Sequence, residues 1–332
     1  MTRINRRTLL AGAAATATLA GTARLSAAEP VYTPEISFKG TSVLITGCSS
    51  GFGRLTAELL ARQGARVFAT MRALPRPEAD ELTALAKAEN LDLHVIGIDV
   101  TELPQVNAGV KEAMRINGGP IDVLVNNAGI GITSPVEVQD MTATRLIFDT
   151  NVFGPHRMAR AVLPGMREAK RGLIIQISSQ LGRVIVPHSG HYSATKFALE
   201  AMSEQLAYEL VAHGIDVSII EPGGYPTKVW VNRNAYSKAL KERSLSVHSA
   251  GYPEQVARMG TEDGSGRSND PMDVAKAIAG LIAQPPGTRP LRLPVSGGAI
   301  PQTPINQVTA QVQTGWLGNS PYGPLVKAVH GR

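Results

Sequence analysis

The 332-residue sequence predicts an α/β protein on a doubly wound parallel sheet. Three observations predict it. Short apolar runs suited to buried strands alternate with longer helical stretches. A glycine-rich turn lies between the first strand and the first helix. Thr46, Asp99, Asn126, Ser179 and Pro222 all fall at carboxyl ends of strands, where open parallel sheets bind ligands.

Residues 1–28 read as an address rather than a fold element. They combine an arginine-containing start, a short Ala/Thr-rich apolar middle, and small residues Ser26 and Ala28 before Glu29. Arg6-Arg7 followed by Leu9-Leu10 resembles a twin-arginine export signal. The expectation is export to the periplasm by the twin-arginine machinery with cleavage after Ala28; a retained cytoplasmic extension is the alternative. The apolar run is too short to span a bilayer comfortably. Residues 29–40, with Pro30 and Pro34, are a linker.

The first strand is Ser42 to Thr46, followed by the turn Gly47-Cys48-Ser49-Ser50-Gly51-Phe52-Gly53. A helix from Arg54 to Gln63 stops at Gly64, and Arg66 to Thr70 is the second strand. This strand–turn–helix–strand unit is of the dinucleotide-binding, Rossmann type: glycines admit a pyrophosphate, and the helix N-terminus favours its charge. Helix Glu78–Glu89, strand Leu93–Ile98, helix Leu103–Asn117 and strand Ile121–Val125 continue the alternation. A long helix, Ala143–Ala169, is expected to bend near Pro155 and Pro164. Strand Leu173–Ser178, helix Tyr192–Val211 and strand Ile215–Ile220 follow. Residues 225–270 loosen into polar segments with short helical stretches, read as an insertion covering the site. Helix Pro271–Ala283 and a short strand Leu291–Pro294 close the single domain, 41–295. The Gly-, Pro- and Gln-rich extension 296–332 is expected to pack as extended chain.

Charge and cysteine content narrow the function. The net charge is +6, but Arg3, Arg6, Arg7 and Arg24 stand in residues 1–28 without an acid, leaving +2 elsewhere. That balance gives no argument for nucleic acid. The single cysteine, Cys48, excludes an intramolecular disulfide and multi-cysteine metal sites, and it reads as a small packed residue. His188 and His191 lack metal-ligand company, so no metal site is expected; His191 reads as structural or as lining the substrate entrance.

Tyr192 and Lys196 are four residues apart, on one face of a helix, and Ser179 ends a strand thirteen residues upstream. Such a Tyr–Lys pair is commonly a surface pair, and such a serine is commonly a cap. Together, at strand ends behind a glycine loop, they read as acid–base equipment.

With these motifs placed, residues 41–295 resemble a short-chain dehydrogenase/reductase. The matching pieces are Thr46-Gly47-x-x-x-Gly51-x-Gly53, Asp99-Val100, Asn126-Asn127-Ala128-Gly129, Asn151, Ser179, Tyr192-x-x-x-Lys196, and Pro222-Gly223 followed by Thr227. The glycine loop, the segment beginning Tyr192-Ser-Ala-Thr-Lys, and Pro290-Leu291-Arg292 are most similar to the hydroxysteroid and retinol dehydrogenase-like branch. The resemblance implies that Tyr192 is the general acid/base, that Ser179 binds the substrate oxygen, and that Lys196 holds ribose hydroxyls and lowers the phenol pKa. It also implies that Asn151 supports a water-linked proton path. Lowering a tyrosine by about three units needs roughly 4 kcal/mol, which one ammonium about 4–5 Å away can supply at an effective dielectric near about 20. Cofactor contacts are expected from Thr46, Gly47, Ser49, Ser50, Gly51, Phe52, Gly53, Val100, Asn126, Ala128, Gly129, Tyr192, Lys196, Pro222 and Gly223. Asp99 is expected at the adenine edge and Thr227 at the nicotinamide amide or phosphate.

Cofactor choice turns on the end of the second strand, where an acid would favour NAD(H). Here Met71 occupies that place and Arg72 follows, a guanidinium suited to a 2′-phosphate. NADP(H) is therefore favoured, with NAD(H) the alternative. The expected activity interconverts a ketone and a secondary alcohol on an apolar small molecule, with Trp230, Val229, Tyr225 and Tyr236 as candidates for an apolar wall. A homodimer or homotetramer through the two long helices is implied by the resemblance. The competing reading is a catalytically silent nucleotide-binding sensor or partner protein on the same fold.

Overall fold

A computed structural model describes residues 36–331; the export segment read in residues 1–28 and most of the linker lie outside them. Seven strands form one parallel sheet in the order β3-β2-β1-β4-β5-β6-β7. They are β1 Ser42–Ile45, β2 Arg66–Met71, β3 Leu93–Gly97, β4 Val123–Asn126, β5 Gly172–Ile177, β6 Ile215–Pro222 and β7 Arg292–Val295. The central strands are buried along their whole length, which explains their unbroken apolar sequences. Alternate residues face opposite layers. Val43 and Ile45 join one core with Leu60, Leu82 and Leu281, while Leu44 joins the other with Val110, Met158 and Leu210.

Helices cover both faces: α1 Gly51–Arg62, α2 Pro77–Ala88, α3 Leu103–Asn117, α4 Met141–Phe148, α5 Gly154–Ala169 and α6 Tyr192–Leu210. Then come α7 Val229–Arg243, the short α8 Ser246–Ser249 and α9 Pro253–Arg258, α10 Met272–Ala283, α11 Gln302–Leu317 and α12 Gly323–His330. The described residues all belong to one unit. None of their helices is long and apolar enough to cross a membrane.

The strand order reverses between β1 and β4, so their carboxyl ends diverge and open a crevice there. Ser42 holds the opposite end shut. Its amide and hydroxyl donate to Asp122 Oδ2 at 3.0 and 2.7 Å. The sheet is thus tied at the bottom and open at the top.

Three expectations need correction. The long helix Ala143–Ala169 is two helices joined by a π-helical turn, Asp149–Phe153. Pro155 falls in the first turn of α5, where a missing N–H costs nothing. The 225–270 segment is more ordered than its polarity suggests, since α7 alone runs fifteen residues. The extension 296–332 is not extended chain but helices α11 and α12. Pro301 and Pro304 lie at the cap and first turn of α11, where proline is tolerated. Its anchors are polar. Gln302 Nε2 donates to Glu221 O (3.1 Å), Asn306 to a Glu221 carboxylate oxygen (2.7 Å), and Arg183 to Thr309 Oγ1 (2.7 Å). A hydrophobic pattern cannot announce such contacts.

Candidate active site

A cleft of about 910 Å³ opens over the carboxyl ends of the strands. The glycine turn forms one half of it. Gly47 has φ +74°, and a Cβ there would sit 2.9 Å from Ala128 Cα. Thr46 and Asn127 clasp the diverging ends of β1 and β4. Thr46 Oγ1 accepts from the amides of Asn127 (3.0 Å) and Ala128 (2.9 Å), while Asn127 Nδ2 donates to Thr46 O at 2.8 Å. Helix α1 begins at Gly51 (φ +58°), and the Ser50 hydroxyl caps none of its first amides. Those amides and the helix dipole suit a phosphate, and the glycines leave it room. The residues present therefore fit a dinucleotide.

The other half carries the acid–base residues. Tyr192 opens α6 and lines the cleft together with Ser179, which follows β5. Burial pushes the phenol above its ordinary range, opposed by the Ser179 hydroxyl and the charge of Arg233. Lys196, one turn on, is 5 % exposed and donates to Ile177 O at 2.9 Å. Its Nζ stands 5.8 Å from the Tyr192 ring centroid. Burial pulls the ammonium down to about 8, partly opposed by Glu200. Lys196 is expected from the sequence to lower the phenol; here burial raises it, and the charge that opposes the rise is that of Arg233.

Asn151 lies in the π-helical turn and is buried behind this floor. Its side chain exchanges hydrogen bonds with both backbone groups of Ile130 at 2.9 Å and donates to Thr195 Oγ1 at 3.1 Å. A Cβ on Gly129 would lie 3.4 Å from Asn151 Oδ1 and 3.8 Å from Lys196 Nζ, so glycine keeps this spot open.

Most expected residues line the cleft: Gly47, Ser49, Ser50, Gly51, Phe52, Arg72, Asp99, Val100, Ala128, Gly129, Ser179, Tyr192, Lys196, Pro222, Gly223 and Thr227. Three expected as cofactor contacts do not, and their place is structural. Thr46 is spent on the clasp. Gly53 is needed because a Cβ would meet Asn127 Nδ2 at 2.4 Å and Gly47 O at 2.5 Å. Asn126 is buried, with its Nδ2 on Pro155 O at 3.4 Å. Cys48 is fully buried and its thiol is pushed up to about 12, as a packed residue should be. His188 lines the cleft and His191 does not. Of the suggested apolar wall, Tyr225 packs edge-on to Phe52 and Tyr236 accepts from Arg72 at 2.8 Å.

Sequence reasoning passed over Asn127, Arg76, Arg233 and Arg267. Asn127 stood in a quoted motif without a role. The arginines come from a loop and a segment without periodicity, so no local signal marked them.

The family model for short chain dehydrogenases matches residues 41–238. A 3-ketodihydrosphingosine reductase of Bacteroides thetaiotaomicron is 40% identical over 193 residues, 58% of this chain and 66% of that protein. Retinol dehydrogenase 8 of Bos taurus is 36% identical over 258 residues, 74% of this chain and 79% of that protein. Among solved structures, a short-chain dehydrogenase from Streptomyces avermitilis superposes with TM-score 0.65 at 30% identity, covering 84% of this chain and 97% of that one. The chain belongs to the short-chain dehydrogenase/reductase family of NAD(P)-dependent oxidoreductases. Within that family it falls in the retinol dehydrogenase-like branch.

Proposed function

We propose that this chain interconverts a ketone and a secondary alcohol using NADP(H), with Tyr192 as general acid/base. The observation that carries the reading is the meeting of Tyr192, Ser179 and Lys196 in the cleft that also holds the glycine loop. A bound nicotinamide supplies or accepts the hydride at carbon. The chain's own residues handle the oxygen. The phenol, held above its ordinary range, keeps its proton and can give it to a carbonyl oxygen. Ser179, whose hydroxyl acts on the same phenol, donates to that oxygen as charge develops. Asn151 orders the backbone beneath, and Lys196 offers its ammonium to the ribose side.

Arg72 and Arg76 both line the cleft beyond β2, and Met71, where an acid would favour NAD(H), is buried. Two guanidiniums stand at that corner, Arg76 paired with Glu78 at 2.9 Å and Arg72 donating to the uncharged Tyr236 hydroxyl at 2.8 Å, and both keep donors that support a 2′-phosphate. Solved neighbours are described with NAD in one case, with NADP in two and with 5-hydroxy-NADP in one, at 20–27% identity, so the choice rests on these arginines. Ile130, Leu181, Val186 and Met259 give the substrate side an apolar lining. The named substrates of the two relatives, retinol and ketodihydrosphingosine, are largely hydrocarbon, which agrees with an apolar substrate body. Phe153, Phe197 and Met202, on or next to the two long helices, stay exposed, which supports pairing of two copies through those helices.

NADPH consumption with a panel of ketones tests the activity. Tyr192→Phe should lower turnover by about 10²–10⁴-fold while NADPH still binds. A variant that keeps wild-type turnover removes Tyr192 from the mechanism. The twin-arginine pattern of residues 1–28 supports a periplasmic location. Fractionation of the native cell decides this: full-length protein in the cytosol refutes export.

A further inference from the structure

The wall of the cleft facing Tyr192 is charged, not apolar. Trp230 stands in the first turn of α7 with its indole N–H on Tyr225 O at 2.7 Å. Two guanidiniums stack on its ring, Arg267 at 3.6 Å and Arg233 at 4.1 Å from the centroid. Glu262 bridges them, bonded to Arg267 at 2.7 Å and to Arg233. The Arg233 stem runs along Gly131, where a Cβ would come within 3.0 Å of it. Arg267 Nε lies 3.0 Å from a Cβ built on Gly224. The cluster thus spans the loops that follow β4 and β6, on either side of the reacting corner.

The charges do not cancel. Two cations share one bonded carboxylate: among the described residues Glu262 is the one hydrogen-bond partner of each guanidinium, and Asp263, whose charge also reaches Arg267, is exposed to solvent and bonds neither. Each therefore keeps N–H donors beyond the one it gives Glu262. Arg233 and Arg267 are 19% and 28% exposed, and both line the cleft with Tyr192. Stacking on an indole pre-orients a guanidinium, whose planar fork then fits an oxyanion. Arg233 is also close enough for its charge to act on the Tyr192 phenol.

The geometry points to an anion subsite: the substrate is a ketone or alcohol that carries a carboxylate or phosphate a few bonds from the reacting carbon, bound by Arg233 and Arg267. This deepens the oxidoreductase reading and rests on it. The apolar body then follows Leu181 and Val186, and the anion takes the donors Glu262 leaves.

Three probes test it with NADPH: 4-oxodecanoate, its methyl ester and 4-oxodecyl phosphate. The wild-type protein should prefer the acid to the ester by about 10- to 100-fold in kcat/KM, the worth of one or two charge-assisted hydrogen bonds. In Arg233→Gln and in Arg267→Gln that ratio should fall toward one. A phosphate preferred over the acid supports the subsite and names its anion. A wild-type ratio near one, or equal losses for acid and ester in the variants, overturns the subsite and leaves the stack as lid packing.

A second readout does not need turnover. The chain has two tryptophans, and Trp316 is 78% exposed on α11, so Trp316→Phe leaves Trp230 as the reporter. Its fluorescence should titrate saturably with decanoate, not with decanol, and the response should vanish in Arg267→Gln. Decanoate binding without reduction of any ketone sinks the oxidoreductase reading and keeps the anion subsite. Ketone reduction without decanoate binding does the reverse.

Discussion

Lys196→Met removes an ammonium that the fold holds almost entirely out of water. Burial pulls this lysine from 10.5 to about 8, a drop of about 2.5 units, which at about 1.4 kcal/mol per unit makes the buried charge cost about 3 kcal/mol near neutrality. The variant also loses the bond to Ile177 O, leaving a buried carbonyl short of a donor at a cost of about 1–2 kcal/mol. Glu200, the acid that supports the ammonium, keeps Arg292 at 2.8 Å and is not orphaned. Methionine fills nearly the same volume. The variant should therefore be more stable than the wild type by about 1–2 kcal/mol near neutrality. The pH dependence carries the sign. Below about 8 both folded and unfolded chains hold the proton, and the cost is constant. Between about 8 and 10.5 only the unfolded chain holds it, so wild-type stability rises with pH and the variant's advantage disappears. Urea unfolding of both proteins at about pH 7 and about pH 10 measures this. A variant less stable at the lower pH, or a difference that does not change with pH, refutes the argument that Lys196 is kept at a cost to stability.

Arg72→Glu should shift preference from NADPH toward NADH by about 10- to 100-fold in dissociation constant, by loss of a guanidinium partner and gain of a repelling carboxylate; fluorescence titration with each nucleotide reads it. Gly53→Ala drives a Cβ into Asn127 Nδ2 and Gly47 O, both in the clasp under the glycine loop. Thermal unfolding should show a loss of about 1–3 kcal/mol, together with weaker nucleotide binding. Arg292→Met removes the guanidinium that bonds Glu200 at 2.8 Å and Glu204 at 2.6 Å and stands 3.7 Å from Glu221, leaving three buried acids with only Lys196, His330 and Arg183 as neighbouring cations among the described residues. Denaturant titration should show a loss of about 3–5 kcal/mol, and hydrogen exchange should rise in α11, whose anchor Asn306 binds Glu221.

The chain's local order determined much of this protein. Apolar runs located the inner strands β1, β2, β4 and β5, because a strand buried on both faces must be apolar along its length, whereas the edge strands β3 and β7 are only partly buried. The glycine turn and the Tyr192–Lys196 spacing were legible because backbone approach and helical periodicity act within a few residues. The tertiary structure alone decided the rest. Which strands diverge, and hence where the cleft opens, depends on pairing across the sheet. The π-helical turn that seats Asn151 against Ile130 answers to packing between helices and sheet. Helix α11 is held by polar contacts to Glu221 and Arg183, and α12 by a His330–Tyr208 bond beside the buried Val326 and Val329, all between residues far apart in the chain. The Arg233–Trp230–Arg267 stack has the same origin, since no periodicity links its members. Hydrophobic burial leaves a repeating trace along the sequence, whereas a charge meets its partner only after the chain has folded.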